Sequence, residues 1–143
     1  MSETTRAADP AERHHEELAL FLSVHLGRAA GLLWAEYDHP ACAPGAGQQD
    51  LDRLAEGLAR RTGRRVRTEP GGERRSGTAA GHLLVHQAEG SGEWRLTGPA
   101  GHAAPDPPFR CRLRAGEILY VLPHWAWQAR LGASGRFLLT VLE

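Results

Sequence analysis

The chain contains no lysine and no asparagine, and all 17 of its basic residues are arginine. Without lysine, Schiff-base catalysis and lysine-held phosphates are excluded. Cysteine is scarce, two residues in 143, too few for a disulfide framework. Cys42 and Cys111 either pair or stay as two reduced thiols, with Cys111 in a strand core. No stretch approaches the ~18 consecutive apolar residues of a membrane span. The opening MSETTRAADPAERHHEE also lacks the apolar core of a secretory signal. A cytoplasmic protein with no membrane partner is the expectation. Charge of one sign is not in excess, since the formal net charge is zero, and this argues against nucleic acid as a partner. Arginine without lysine, alongside abundant Ala and Gly, reflects a GC-rich bacterial genome more than a function.

What remains is ordinary for a globular protein: 41% hydrophobic and 24% charged residues, in a chain long enough for one domain that buries roughly 70% of its unfolded surface. Residues 1–8 are polar and expected to be disordered. Asp9 as N-cap, Pro10 at the first helical position and Glu12 closing a capping box start a helix. Leu18, Phe21, Leu22 and His25 share one face of it, and Gly27 ends it. His14 and His15, in its first turns, are expected to be exposed. Leu32 to Tyr37 reads as a strand, and HPACAPGAGQQ as a loop. A second helix is expected from about Asp50 to Thr62, buried along Leu51, Leu54, Ala55 and Leu58 and closed by Gly63. A short strand begins at Val66, and EPGGERRSGTAAG reads as a flexible loop. From Gly81 onward the pattern is all strand: 82–87, 93–97, 109–113, 117–122, 126–131 and 136–142. Phe109, Cys111 and Leu113 alternate with Arg110, Arg112 and Arg114, as in a strand with one wet face. The organisation is therefore a helical section over 9–63 with one short strand, then a β-barrel or sandwich over 64–143.

Two segments of that β-region carry a family likeness. LLVHQAEGSGEWRLTGP resembles the strand pair of the cupins, within them the JmjC-like branch of 2-oxoglutarate/iron oxygenases, with Gln87, Gly90, Trp94, Gly98 and Pro99 matching. GEILYVLPHWAW is similar to a later motif of that branch through Gly116, Leu119 and Tyr120, with Glu117 as its acid, and FLLTVLE resembles the closing strand. The likeness covers about 50–143. It implies an α+β, mainly β fold: a cupin-type double-stranded β-helix, or jelly roll, preceded by two helices. JmjC-like proteins often continue into a helical dimerisation region, whereas here the likeness stops at the last barrel strand, so a homodimer stays open as an expectation.

The resemblance also implies where iron and 2-oxoglutarate would bind, and the residues there are unsuitable. The two ligands of the first metal motif fall at Gly77 and Ala79. The distal histidine falls at Trp127, or at Gln128 if Pro123 aligns with the family's proline. The basic residue for 2-oxoglutarate falls at Gly92. A facial triad needs two imidazoles and a carboxylate, so the implied cofactor set is none. The expectation is a binding or scaffolding partner in a biosynthetic or peptide-modifying system, with a protein or peptide as its partner.

Two enzymatic alternatives stand beside it. Fe(II) or another divalent metal could be held by non-standard ligands among His82, His86, Glu89, His102 and His124. Strand parity with Ala79 as an inward position turns His82 and His86 outward, towards the helical layer or solvent. Otherwise, a metal-free isomerase or cyclase could use Tyr120, Glu117 or a histidine as acid or base. Gln87, Trp94, Tyr120, Trp125 and Trp127 are candidates to line an apolar pocket or simply to fill the barrel. Arg60, Arg61, Arg64, Arg65 and Arg67, with Arg74 and Arg75 beyond them, form a basic cluster that suits an acidic partner or a solvated helix end.

Overall fold

In the computed structural model, which describes residues 9–99 and 109–143, the described residues form two antiparallel sheets with a pair of helices on one of them. The helices are α1 (Pro10–His25) and α2 (Gln48–Thr62). The strands are β1 (Gly31–Trp34), β2 (Val66–Pro70), β3 (Ser76–Thr78), β4 (His82–Glu89), β5 (Ser91–Thr97), β6 (Phe109–Arg114), β7 (Glu117–Val121), β8 (Ala126–Leu131) and β9 (Arg136–Leu142). One sheet runs β1-β7-β4-β9-β2 and the other β3-β8-β5-β6. This is a jelly roll with N-terminal helices, as expected. The disorder expected for residues 1–8 falls outside the described residues.

The five-stranded sheet is covered on both faces, which explains its sequence. In β7 and β9 every residue after the first is buried, including Ile118–Val121 and Phe137–Leu142. Leu84, Ile118, Tyr120, Leu138 and Leu142 face the helices and pack on Leu18, Leu22, Leu51, Leu54 and Leu58. Leu83, Val85, Leu119, Val121, Phe137, Leu139 and Val141 face the other sheet and meet Trp94, Leu96, Leu113 and Trp127. A strand buried on both sides reads as a continuous apolar run. The four-stranded sheet has one dry face, so β5 and β6 alternate instead.

Several expectations need correction. Asp9 does cap α1, accepting from Ala11 N–H at 3.1 Å. Glu12, however, makes no capping box, because its carboxylate turns to Arg61 on α2 at 3.1 Å. The supposed flexible loop after Glu69 contains β3, which pairs with β8 through Gly77↔Trp127. Its residues are too small to show apolar alternation. β1, expected to belong with the helical section, hydrogen-bonds β7 and completes the five-stranded sheet. Gly63 does close α2 in the left-handed region (φ 71°).

Candidate functional site

The space between the sheets is where the family likeness places metal chemistry, and the topology brings the implied ligand positions together there. Gly77 on β3 lies opposite Trp127 on β8, and Ala79 follows at the end of β3, its N–H donating to the Trp125 carbonyl at 2.9 Å. Trp127 faces inward and is buried while Gln128 faces solvent, so the inward counterpart of the distal histidine is Trp127. A Cβ added at Gly77 would sit 2.9 Å from the Trp127 indole. The ring therefore occupies the room a ligating side chain at Gly77 would need. Gly92, the position implied for a 2-oxoglutarate-binding cation, is equally closed: a Cβ there would meet Leu131 at 2.6 Å and Gln87 Oε1 at 3.1 Å.

Aromatic rings fill this interior. Trp94 lies 5.4 Å from Trp127 and 5.0 Å from Phe137, edge to face with the latter, and Trp127 and Phe137 are 6.1 Å apart. Such offset and edge contacts add to the stabilisation from burial alone. Gln87 is the buried polar group among them. Its Oε1 accepts from Trp94 Nε1 at 3.4 Å, and its Nε2 donates to the Glu89 carbonyl at 2.9 Å. Trp125 packs in the same cluster. None of Gly77, Ala79 and Trp127 offers a side-chain lone pair suited to iron, so these residues do not fit the family's metal.

Tyr120 does not join that group. It points to the helical layer, where its hydroxyl accepts from Gly27 N–H at 2.8 Å and bonds His82 Nδ1 at 2.7 Å. Glu117, three residues earlier on β7, has the opposite strand parity, and it accepts from Arg114 N–H at 2.6 Å. The two are therefore not a convergent acid–base pair. The candidate metal ligands are also dispersed. His82 serves Tyr120, His86 Nε2 lies 2.8 Å from Thr140 Oγ1, Glu89 pairs with Arg136, and His124 is exposed in a turn with φ 70°. His102 lies outside the described residues. Among the described residues, no three His, Cys, Asp or Glu side chains converge to hold a metal ion. Cys42 and Cys111 are free thiols, each pushed up to about 11 by burial.

A cluster of buried histidines lies between α1 and the sheet. His14 and His15 are not exposed as expected: they are 3% and 0% accessible, and His39 and His86 join them at 1% each. The contacts fix most of the tautomers. His14 Nδ1 donates to the Tyr37 carbonyl at 2.7 Å. Ala41 N–H donates to His39 Nδ1 at 3.0 Å, so His39 carries its proton on Nε2 and donates to His15 Nε2 at 3.1 Å. Among the described residues, His14 Nε2, His15 Nδ1 and His86 Nδ1 are buried without a hydrogen-bond partner, and the Glu12 carboxylate lies 3.7 Å from His15 Nδ1. Burial, with mutual repulsion second, holds His39 and His86 down to about 3, and burial lowers His14 and His15 too. Sequence offered one signal for this cluster: Ala11, Leu18 and Leu22 define a stripe on α1 into which His14 and His15 fall.

The basic cluster is partly neutralised within the chain. Arg60 and Arg61 reach Glu12 at 3.8 and 3.1 Å, and Arg65 and Arg67 reach Glu143 at 3.9 and 3.0 Å. Arg64 has no ion pair among the described residues.

The described strands form a jelly roll, and a solved oxygenase shares that fold. YcfD, a ribosomal oxygenase from Escherichia coli, in complex with cobalt and succinic acid, has a TM-score of 0.58 at 14% identity, covering 87% of this chain and 50% of that one. Another structure of the same oxygenase gives 0.57 at 13%, over 85% and 49%. A cupin domain of Drosophila melanogaster CENP-C gives 0.40 at 14%, over 55% and 58%. The chain spans about half the length of the oxygenase. At these identities the likeness is one of fold. No family model and no curated protein sequence matches the chain. No helix of the described residues is long and apolar enough to cross a membrane.

Proposed function

We propose that this protein is a cupin that works by binding rather than by iron and 2-oxoglutarate chemistry, as a non-catalytic partner in a biosynthetic or peptide-modifying system. The observation that carries the reading is the pairing of Gly77 with Trp127. Two positions that would supply imidazoles instead supply a glycine and the indole that fills the space above it. The Trp94–Trp127–Phe137 cluster extends that packing across the sandwich.

The test is metal and cosubstrate binding by protein purified without chelator. Wild type is expected to carry no stoichiometric divalent metal and to give no calorimetric signal with Mn(II) or 2-oxoglutarate. The triple substitution Gly77→His, Ala79→Asp, Trp127→His removes the indole and restores three donors, and it is expected to gain Mn(II) binding. Stoichiometric metal in wild type, lost on His82→Ala or His86→Ala, would overturn the proposal in favour of an oxygenase with non-standard ligands.

A further inference from the structure

The four-stranded sheet has one solvent face, and its chemistry is lopsided. Alternation sends Trp94, Leu96, Leu113 and Trp127 inward and leaves Glu93, Arg95, Arg110, Arg112 and Arg130 exposed. With Arg75 at the edge, five arginines and one glutamate line an open cleft of about 660 Å³. The register sharpens the imbalance. Arg95 sits directly opposite Arg110, and Glu93 is flanked by Arg112 on β6 and Arg130 on β8. Like charges directly opposite each other in a sheet are destabilising, and alternation requires only polar residues here.

Eight arginines elsewhere differ from these. Arg13, Arg53, Arg60, Arg61, Arg65, Arg67, Arg74 and Arg136 each pair with a carboxylate. Arg95, Arg110, Arg112 and Arg130 have no ion pair or side-chain hydrogen bond among the described residues. Arg28, Arg64 and Arg114 likewise have no ion pair among the described residues, but in a chain of zero net charge this one cleft gathers five arginines that lack a carboxylate partner there.

We infer that this arginine face is a docking surface for a carboxylate-rich, extended segment of a partner protein. Guanidinium forks bind carboxylates bidentately. Arg110 and Arg112, two residues apart on one strand, repeat at about 6.8 Å, which is also the same-face repeat of an extended peptide with alternating acidic residues. A single small anion gains little from exposed, salt-screened arginines, so the occupant is multivalent. Single-stranded nucleic acid is disfavoured because, among the described residues, no aromatic side chain is exposed on this face as a stacking platform: Trp94 is buried. A membrane is disfavoured because the exposed large apolar residues, Leu20, Val24, Leu32 and Trp34, lie on α1 and β1 instead. The inference rests on the binding role proposed above and names its partner's chemistry.

Fluorescence anisotropy of a labelled peptide of alternating Glu and Ser tests it, with an oligothymidylate of equal charge and phosphatidylglycerol vesicles as competitors for the assignment. Saturable peptide binding is expected at low salt, weakened about tenfold or more when NaCl is raised to about 300 mM. Arg95→Gln/Arg112→Gln should weaken it about tenfold, while Arg65→Gln/Arg67→Gln changes it less than about twofold. These positions are exposed, and a thermal melt verifies that both variants fold. No saturable binding at low salt, equal binding by the Arg95/Arg112 variant, or tighter binding of the oligonucleotide or the vesicles would each overturn the inference. Metal analysis reads the barrel interior independently, so failure at this face and failure of the metal-free reading are distinguishable.

Discussion

The buried histidine cluster makes stability depend on pH in a window where few other groups titrate. Unfolded, His39 and His86 take up protons near 6.5; folded, they resist until about 3. Between those values the unfolded state binds more protons, so stability is complete above about pH 7 and falls as the solution is acidified. Each histidine contributes a slope approaching 1.4 kcal/mol per pH unit, and integrating from pH 7.5 to 5 gives about 2 kcal/mol apiece. His39 and His86 together thus remove about 4 kcal/mol at pH 5, against a typical domain stability of roughly 5–15 kcal/mol. His14 and His15 act in the same direction. The lowered carboxyls of Asp9 and Glu12, held down by the Ala11 N–H and by Arg61 respectively, act in a separate window, since their contribution is lost only as pH falls below the ordinary carboxyl range.

Urea denaturation at pH 7.5, 6 and 5 measures this directly. With a urea slope of about 2 kcal/mol per molar, the midpoint should drop by about 2 M between pH 7.5 and 5. The double substitution His39→Asn/His86→Gln separates titration from packing. The Asn carboxamide oxygen can accept from Ala41 N–H where His39 Nδ1 does, and the Gln terminus can reach Thr140 where His86 Nε2 does. The double variant starts less stable, because His15 loses its donor, but most of the midpoint drop between pH 7.5 and 5 should be gone, leaving the part that His14 and His15 supply. A wild-type midpoint that is flat from pH 7.5 to 5, or a double variant that loses as much as wild type, would refute the reasoning.

Two further substitutions probe the layer between helices and sheet. Gly57→Ala should raise helix propensity by about 1 kcal/mol in an exposed helix. Here a Cβ would collide with the His15 ring, so the expected net effect is destabilisation by about 1–3 kcal/mol, read as a lower urea midpoint. A rise would show that α1 and α2 are not in close contact at Gly57. Tyr120→Phe removes the acceptor for Gly27 N–H and the partner of His82, and should cost about 1–2 kcal/mol of stability. An unchanged midpoint would free Tyr120 from the structural role assigned to it here.

How much of this was legible in the sequence depends on whether a residue's neighbours are close in the chain. The alternation of Phe109–Arg114 and the capping residues Asp9, Pro10 and Gly63 are local signals, and they gave the right elements. β3 was hidden because Ser76, Gly77 and Thr78 carry no apolar pattern; the strand exists because β8 supplies a partner. The outward turn of His82 and His86 follows from strand parity alone, and they bond Tyr120 and Thr140 on the same side of the sheet. For His14 and His15 the helical stripe of Ala11, Leu18 and Leu22 is a local signal, but the histidine cluster is not local. It requires His39, more than 20 residues downstream, to fold back on a 3₁₀ turn over Pro40–Cys42 and meet His15. Tyr120 was misplaced because a family motif gives a residue's type and position but not the face it takes in β7. The arginine cluster of α2 stood out by count, whereas the arginines of the four-stranded sheet are scattered over three strands and only the register assembles them.

The two proposals draw on opposite faces of the same strands. Along β5 and β8, inward positions carry Trp94 and Trp127, while outward positions carry Arg95 and Arg130. Closing the interior with indoles leaves this sheet only its outer surface for contact with a partner. Folding alone would be satisfied by any mixture of polar residues on that surface, and opposed guanidiniums are among the poorer choices. Their placement opposite one another, while eight other arginines each have a carboxylate, is what a surface that serves binding at some expense of stability would display. The wet face of the smaller sheet is where five arginines without a carboxylate partner among the described residues share one cleft.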